Sequence, residues 1–314
     1  MAISFLAESC AVEVWDNPFP PDYQTLLEKS GSSQALLSLL TDRIDRNLIS
    51  RSKGKLHVIS QMAVGVDNID LAAATEYRIP IGHTPGVLTE SVADFTFALL
   101  LSIARRIIEA DGEVHRGIWQ PWGPDVLCGA DIHGATLGII GMGRIGQAVA
   151  KRAHGFDMKV LFFDSSCHPS IEKDFDIRCA SLDDLLGSSD FVSIHANLTK
   201  ENHHLISKEQ FSKMKPTAYL INTSRGPLVD PDALEWALEN HILSGAAIDV
   251  TEPEPLPANS SLITLENLII TPHIASASTQ TRANMAMIAV RNILAGLKGE
   301  HLPFCANPEV YSKI

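Results

Sequence analysis

Gly141-Met142-Gly143-Arg144-Ile145-Gly146 is a glycine-rich turn set between two regular elements. It follows the apolar run Thr136-Leu137-Gly138-Ile139-Ile140 and precedes Gln147-Ala148-Val149-Ala150-Lys151-Arg152-Ala153. The first run reads as a buried parallel strand and the second as a helix. A tight glycine turn between the two brings backbone N–H groups and the positive end of a helix dipole up to a pyrophosphate. Gly141 permits the turn, Gly143 lets the phosphates approach, and Gly146 lets the helix pack on the strand.

A second signal lies roughly 20 residues further on, where a dinucleotide-binding unit places an acidic residue. Asp164 ends the next apolar run, Lys159-Val160-Leu161-Phe162-Phe163. A carboxylate there accepts hydrogen bonds from the ribose hydroxyls of an adenosine and repels a 2′-phosphate. The residues that follow, Ser165, Ser166, Cys167 and His168, include no Lys or Arg to pair with such a phosphate. NAD is therefore favoured, with NADP left open.

The chain has 314 residues, a length that suits two domains. Its formal net charge of −12 argues against a nucleic-acid partner, which demands a basic face. The five cysteines are scattered and form no CxxC pair, so they read as reduced thiols. No apolar run is long and unbroken enough to span a bilayer, and the first residues lack the basic flank of a targeting peptide. A cytoplasmic protein is expected. The end Ser312-Lys313-Ile314 comes close to a peroxisomal address, which stands as the alternative.

Strand-like runs alternate with helical patterns along the chain, which indicates parallel α/β architecture. Before the glycine turn, strands are expected at 11–15, 35–40, 56–61 and 79–82, with a helix at 71–77. A long amphipathic segment covers 90–110, and a Trp/Gly/Pro-rich loop covers 117–129. After the turn, strands are expected at 159–163, 191–195, 218–222, 245–249 and 268–271. A last helix, 278–297, is long enough to span about 30 Å and carry the chain back to the first domain.

Four separated pieces of the chain resemble the D-isomer-specific 2-hydroxyacid dehydrogenases. They are Val64-Gly65-Val66-Asp67-Asn68-Ile69-Asp70, the glycine turn itself, Asn222-Thr223-Ser224-Arg225-Gly226, and Asp249-Val250-Thr251-Glu252-Pro253-Glu254-Pro255 with Pro272-His273 beyond it. The loop Trp119-Gln120-Pro121-Trp122 with Leu127-Cys128-Gly129 is similar to the glyoxylate/hydroxypyruvate reductase branch. The resemblance implies two Rossmann-like or flavodoxin-like domains with parallel sheets. The nucleotide domain, 85–278, is inserted in a substrate domain made of 1–84 and 279–314. The resemblance also implies a substrate domain lacking its first strand, and a homodimer. It implies NAD(P)H-dependent reduction of a small 2-oxo acid, glyoxylate or hydroxypyruvate, to the 2-hydroxy acid.

That chemistry needs a hydride donor, a proton donor and a cation for the substrate carboxylate. His273 follows an apolar strand at its carboxyl end, where ligands bind in open α/β sheets, and an imidazole titrates near neutrality. The other eleven histidines are assigned no role, and none is placed in a metal site. Glu254 is expected to pair with His273, because a neighbouring carboxylate favours the imidazolium. Asp249 is the alternative partner, and Glu252 reads as an exposed turn residue. Arg225 can fork onto a carboxylate and polarise the adjacent ketone.

By the same resemblance, the backbone amides of Val64 and Gly65 hold the substrate carboxylate. Arg144 and Ile145 lie at the pyrophosphate, Thr223 near the nicotinamide, Asp249 at its carboxamide, Thr89 at the domain junction and Thr199 on the adenine side. Asn197 stands where the family often has proline, which alters that adenine wall. Trp119 and Trp122 line the pocket or pack in the dimer interface. Two other readings stay open: another D-2-hydroxyacid dehydrogenase of phosphoglycerate or D-lactate type, and a non-catalytic NAD-sensing module of the same fold.

Overall fold

The computed structural model describes residues 2–167 and 169–312. The chain divides into two compact units, one running up to Leu88 and resuming at Ala277, the other spanning Thr89–Ser276.

The first unit holds a parallel sheet of β1 (Ala35–Ser38), β2 (Val58–Gln61) and β3 (Ile81–Gly82), with β2 in the middle. Neighbouring side chains of β2 point to opposite faces. Ile59 joins Leu27, Leu48, Ile49 and Ile81 on one side, while Val58 joins Leu6, Val290, Ile293 and Leu302 on the other. The second cluster needs the last helix, Thr279–Leu297, whose N-terminus is capped by Ser278 accepting from the Thr281 amide. A Cβ on Gly296 would stand 2.5 Å from Val58 Cβ, so only glycine lets this helix lie so close to the sheet.

The strand expected at 11–15 does not form. Those residues are irregular and mostly exposed, with Val14 and Trp15 on the surface. Alternating apolar residues make a strand only when a neighbouring edge accepts their backbone groups, and no such pairing occurs among the described residues.

In the second unit, β4 (Thr136–Ile140), β5 (Lys159–Phe163), β6 (Arg178–Cys179), β7 (Phe191–Ile194), β8 (Tyr219–Asn222), β9 (Gly245–Ile248) and β10 (Leu268–Ile270) form one parallel sheet. The order is β10-β9-β8-β7-β4-β5-β6. The chain moves outward in one direction through β4, β5 and β6, then returns to start again at β7. The switch point between β4 and β7 is where open α/β sheets bind ligands. Both faces are covered. Ile139, Phe162, Ile221 and Ala247 belong to one core, and Ile140, Leu220, Ile194 and Ile248 to the other. Strands buried on both sides read as unbroken apolar runs, which is why their positions were evident.

Three local features differ from expectation. The segment 90–110 is two helices, Thr89–Ala104 and Ile107–His115, broken at Arg106, whose φ is 52°. The Ala104 carbonyl accepts the Ala130 amide at 2.8 Å, and Arg106 forks onto Glu109 at 2.7 Å through both Nε and Nη2. The short edge strand β6 was not foreseen. Its pairing sets Cys179 opposite Phe162, and Cys167 lies just past the end of β5. Cys167 and Cys179 are joined as a disulfide with Cα atoms 5.9 Å apart, so these two are not reduced thiols; Cys10, Cys128 and Cys305 are free. Among the described residues no helix is long and apolar enough to cross a membrane. Lys313 and Ile314, on which the peroxisomal reading rested, lie outside the described residues.

Candidate active site

Register builds the site. Phe163, Ile140, Ile194, Asn222, Ile248 and Ile270 are successive partners across β5, β4, β7, β8, β9 and β10. They form one row at the carboxyl edge of the sheet. The next residue on each strand is Asp164, Gly141, His195, Thr223, Asp249 or Thr271. Arg225 lies three residues past its row member and His273 three past its own, two strands away. At about 4.8 Å per strand, both leave the sheet from the same edge.

The glycine turn has the form the sequence implies. Gly141 has φ 95°, and a Cβ there would meet the Ala196 amide nitrogen at 2.5 Å. A Cβ on Gly146 would stand 2.2 Å from the Gly141 carbonyl oxygen. Gly143 is different: its Cβ would meet nothing within 4 Å. It caps the helix Arg144–Ala153 without a side-chain hydrogen bond, and the first turn carries no acidic residue. Open space beside uncapped helix amides, next to an exposed Arg144, fits a dinucleotide pyrophosphate. Ile145 is half-buried against the core below. Asp164 braces the turn: its Oδ2 accepts the Met142 amide at 2.7 Å and its Oδ1 the Ser165 amide at 2.6 Å.

His273 Nδ1 donates to Glu254 Oε1 at 2.5 Å, and His273 itself has φ 54°. Asp249 holds this loop rather than the imidazole. It is buried, and its Oδ1 accepts the Thr271 hydroxyl at 2.6 Å and the Ile274 amide at 2.8 Å, while Oδ2 accepts the Ala275 amide at 2.7 Å. Of the two carboxylates considered as partners for His273, Glu254 is the one in contact.

Arg225 is half-buried in the turn after β8, where its Nη1 donates to the Ser224 carbonyl at 2.8 Å. Asn222 Nδ2 donates to the Arg225 carbonyl at 2.9 Å, and a Cβ on Gly226 would lie 2.0 Å from the Thr251 oxygen, so the turn packs directly on the loop leading to Glu254. Thr223 is buried, with its hydroxyl 3.0 Å from that of Thr96. Thr96 donates its one proton to the Val92 carbonyl at 2.8 Å, so Thr223 donates to Thr96.

Thr199 is exposed in a loop closed by Asn202, which accepts the Thr199 amide at 2.7 Å and donates to the Asn197 carbonyl at 2.7 Å. Thr89 is the first residue of the helix that opens the second unit. Val64 and Gly65 lie in the first unit, after β2; their carbonyls accept His83 Nδ1 and Gln61 Nε2, each at 3.0 Å.

Two histidine environments escaped the sequence. His195, one residue past the row, shares a 2.8 Å hydrogen bond with the Ser193 hydroxyl, and burial pushes its imidazole down to about 3. Glu252 is not a bland exposed turn residue. It is half-buried and accepts from both His203 and His204. The only signal for that contact was two adjacent histidines, whose partner lies far along the chain.

A doubly wound sheet with a glycine turn at its switch point and an acid-paired histidine on the same edge defines a nicotinamide-dependent dehydrogenase. Residues 97–275 match the D-isomer specific 2-hydroxyacid dehydrogenase, NAD binding domain, and the chain belongs to that family. It is 46% identical over 309 residues to a glyoxylate reductase of Korarchaeum cryptofilum, covering 98% of this chain and 93% of the relative. It is 47% identical over 317 residues to a glyoxylate reductase of Thermofilum pendens, covering 98% and 91%. Among solved structures, the TT0316 protein of Thermus thermophilus superimposes with a TM-score of 0.91 at 46% identity, over 97% of this chain and 96% of that one.

Proposed function

We propose that this oxidoreductase reduces glyoxylate, and hydroxypyruvate beside it, to the corresponding 2-hydroxy acid, with His273 as proton donor. The observation that carries the reading is the contact of His273 Nδ1 with Glu254 Oε1 at 2.5 Å, on the sheet edge that also bears the glycine turn. The names of the relatives support the choice of substrate. Bound NADH supplies the hydride.

Because Nδ1 faces Glu254, the proton delivered to the substrate oxygen is the one on Nε2 of His273. Glu254 accepts from Nδ1 and keeps the ring oriented. Arg225 engages the substrate carboxylate through its planar fork. Asp249 acts chiefly through the loop 271–275, and its role at the nicotinamide carboxamide is an additional assignment. Gly141, Gly143, Arg144, Ile145 and Gly146 cradle the pyrophosphate. Thr89, Thr199 and Thr223 are assigned to the rest of the cofactor.

NAD is the preferred cofactor in this reading: Asp164 Oδ1 takes both the amide and the hydroxyl of Ser165, while Oδ2 accepts the Met142 amide and keeps a lone pair for a ribose hydroxyl. The active species is a homodimer. One stretch of the chain exposes Ile107, Ile108, Val114, Ile118, Trp119 and Trp122, apolar side chains that a second copy could cover. Sedimentation velocity tests the dimer.

The reaction is tested by initial rates on glyoxylate, hydroxypyruvate and pyruvate, each with NADH and NADPH. The expected result is the highest kcat/KM for glyoxylate with NADH. Turnover confined to pyruvate, or NADH binding without turnover on any of the three, defeats the proposal.

A further inference from the structure

His203, His204 and Glu252 are brought together by segments that meet on one turn. One ligand atom from each, a ring nitrogen of either histidine and a carboxylate oxygen, lies within 4.8 Å of the other two. His203 Nε2 is 3.2 Å from Glu252 Oε1, and His204 Nε2 is 2.7 Å from Oε2. The two imidazole centroids are 3.9 Å apart. Two nitrogens and a carboxylate thus converge on one point, with His203 half-exposed on the solvent side.

The backbone holds this arrangement before any ligand arrives. The His204 amide donates to the Pro227 carbonyl at 2.8 Å and the Ile206 amide to the Leu228 carbonyl at 3.0 Å. His204 adopts φ 54°, which turns it out of line with its neighbour. On the other side, Thr251 packs against Gly226 so closely that a Cβ there would meet its oxygen at 2.0 Å. The residues 226–228 therefore anchor both halves of the cluster.

We infer that His203, His204 and Glu252 form a binding site for a divalent transition cation of the zinc, cobalt or nickel kind. Two imidazoles and one carboxylate suit these borderline ions, and calcium or magnesium would want an all-oxygen shell. Ligand atoms about 2.0–2.2 Å from one tetrahedral cation stand about 3.4 Å apart, so the 2.7 Å pair of His204 and Glu252 opens slightly to admit the ion while His203, at 3.2 Å from the carboxylate, is already close to that spacing. Water completes the shell on the exposed side, as in other three-ligand sites. Each imidazole coordinates through Nε2, so the proton it donates to Glu252 leaves that nitrogen: a neutral ring carries it on Nδ1 instead, and a charged ring releases one proton to solvent. The cation pins residue 252, two positions before Glu254, to the 203–204 segment. The site stands apart from the proposed reaction and does not depend on it.

The test strips the full-length protein with a chelator and offers Zn²⁺ in equilibrium dialysis, with Mg²⁺ and Ca²⁺ as controls. The wild-type protein is expected to retain one equivalent of Zn²⁺ and neither control ion. X-ray absorption of the zinc-loaded protein should show imidazole and oxygen neighbours. Both His204→Gln and Glu252→Gln should lose the equivalent, and His133→Gln should keep it. Failure of the wild type to retain zinc overturns the inference. So does a sulfur neighbour in the absorption spectrum, which assigns the metal to the free cysteines, or undiminished binding in the two cluster variants.

Discussion

The carbonyl of Asp249 accepts the amide of His273 at 2.9 Å, while the carboxylate of the same aspartate takes three further donors from the residues on either side of that histidine. One buried side chain thus fixes the backbone from which the imidazole projects. In Asp249→Asn the amide group replaces an acceptor with a donor and faces a backbone N–H. A buried donor left without a partner costs about 1–3 kcal/mol. Chemical denaturation should show a loss of that order, and kcat should fall more than the affinity for NADH.

The pair of Glu254 and His273 gives a graded series. His273→Asn should lower kcat by roughly 10²–10⁴, the usual worth of a positioned acid. NADH titration by fluorescence should be unchanged, since the ring is assigned to the substrate. Glu254→Gln keeps a hydrogen-bond acceptor beside Nδ1, and Glu254→Ala removes it. The loss of kcat should therefore be larger in Glu254→Ala than in Glu254→Gln. Wild-type kcat in Glu254→Ala would sink the role given to Glu254.

Two glycines of one turn should respond in opposite ways. Gly143→Ala meets no protein atom within 4 Å, so folding should be unaffected while cofactor affinity falls. Gly146→Ala sets a methyl 2.2 Å from the Gly141 oxygen. Its melting temperature should drop, by an amount corresponding to the roughly 1–3 kcal/mol typical of overpacking. Thermal melts with and without NADH separate the two effects.

His195 makes a pH prediction. Burial lowers its folded-state value from 6.5 to about 3, so the folded ring stays neutral while the unfolded chain takes up a proton below 6.5. Within that window the unfolded state binds more protons, and stability falls as pH falls. The slope reaches up to about 1.4 kcal/mol per pH unit, and this contribution is flat above the window. Urea denaturation between pH 4.5 and 7.5 should show a shallower slope in His195→Asn.

The sheet of the second unit was readable because strands buried on both faces carry no polar alternation. Thr136–Ile140 and Lys159–Phe163 are strands over the whole of their apolar runs. Strand formation at 11–15 depends on a partner edge that no local pattern reports. The break at Arg106 was hidden because apolar residues continue on both sides of it, and what stops the first helix is the distant Ala130 amide. Glu254 and His273 were named together by resemblance, but the carboxylate that holds the histidine's loop is Asp249, a tertiary contact. The Glu252 cluster was missed for the same reason. Its two histidines stand side by side in sequence, and only the turn at 226–228 brings the acid to them.

The first unit draws its core from both ends of the chain: Leu6 and Val58 are buried against Val290 and Ile293. On the ribosome, everything through Ser276 emerges before the helix that covers β2. The second unit can therefore complete its sheet during synthesis, while the apolar face of the first stays open until that helix has been made. In that interval the nascent chain offers its early strands to chaperones, and a ribosome stalled ahead of the last helix would release a chain whose second unit is formed and whose first is not.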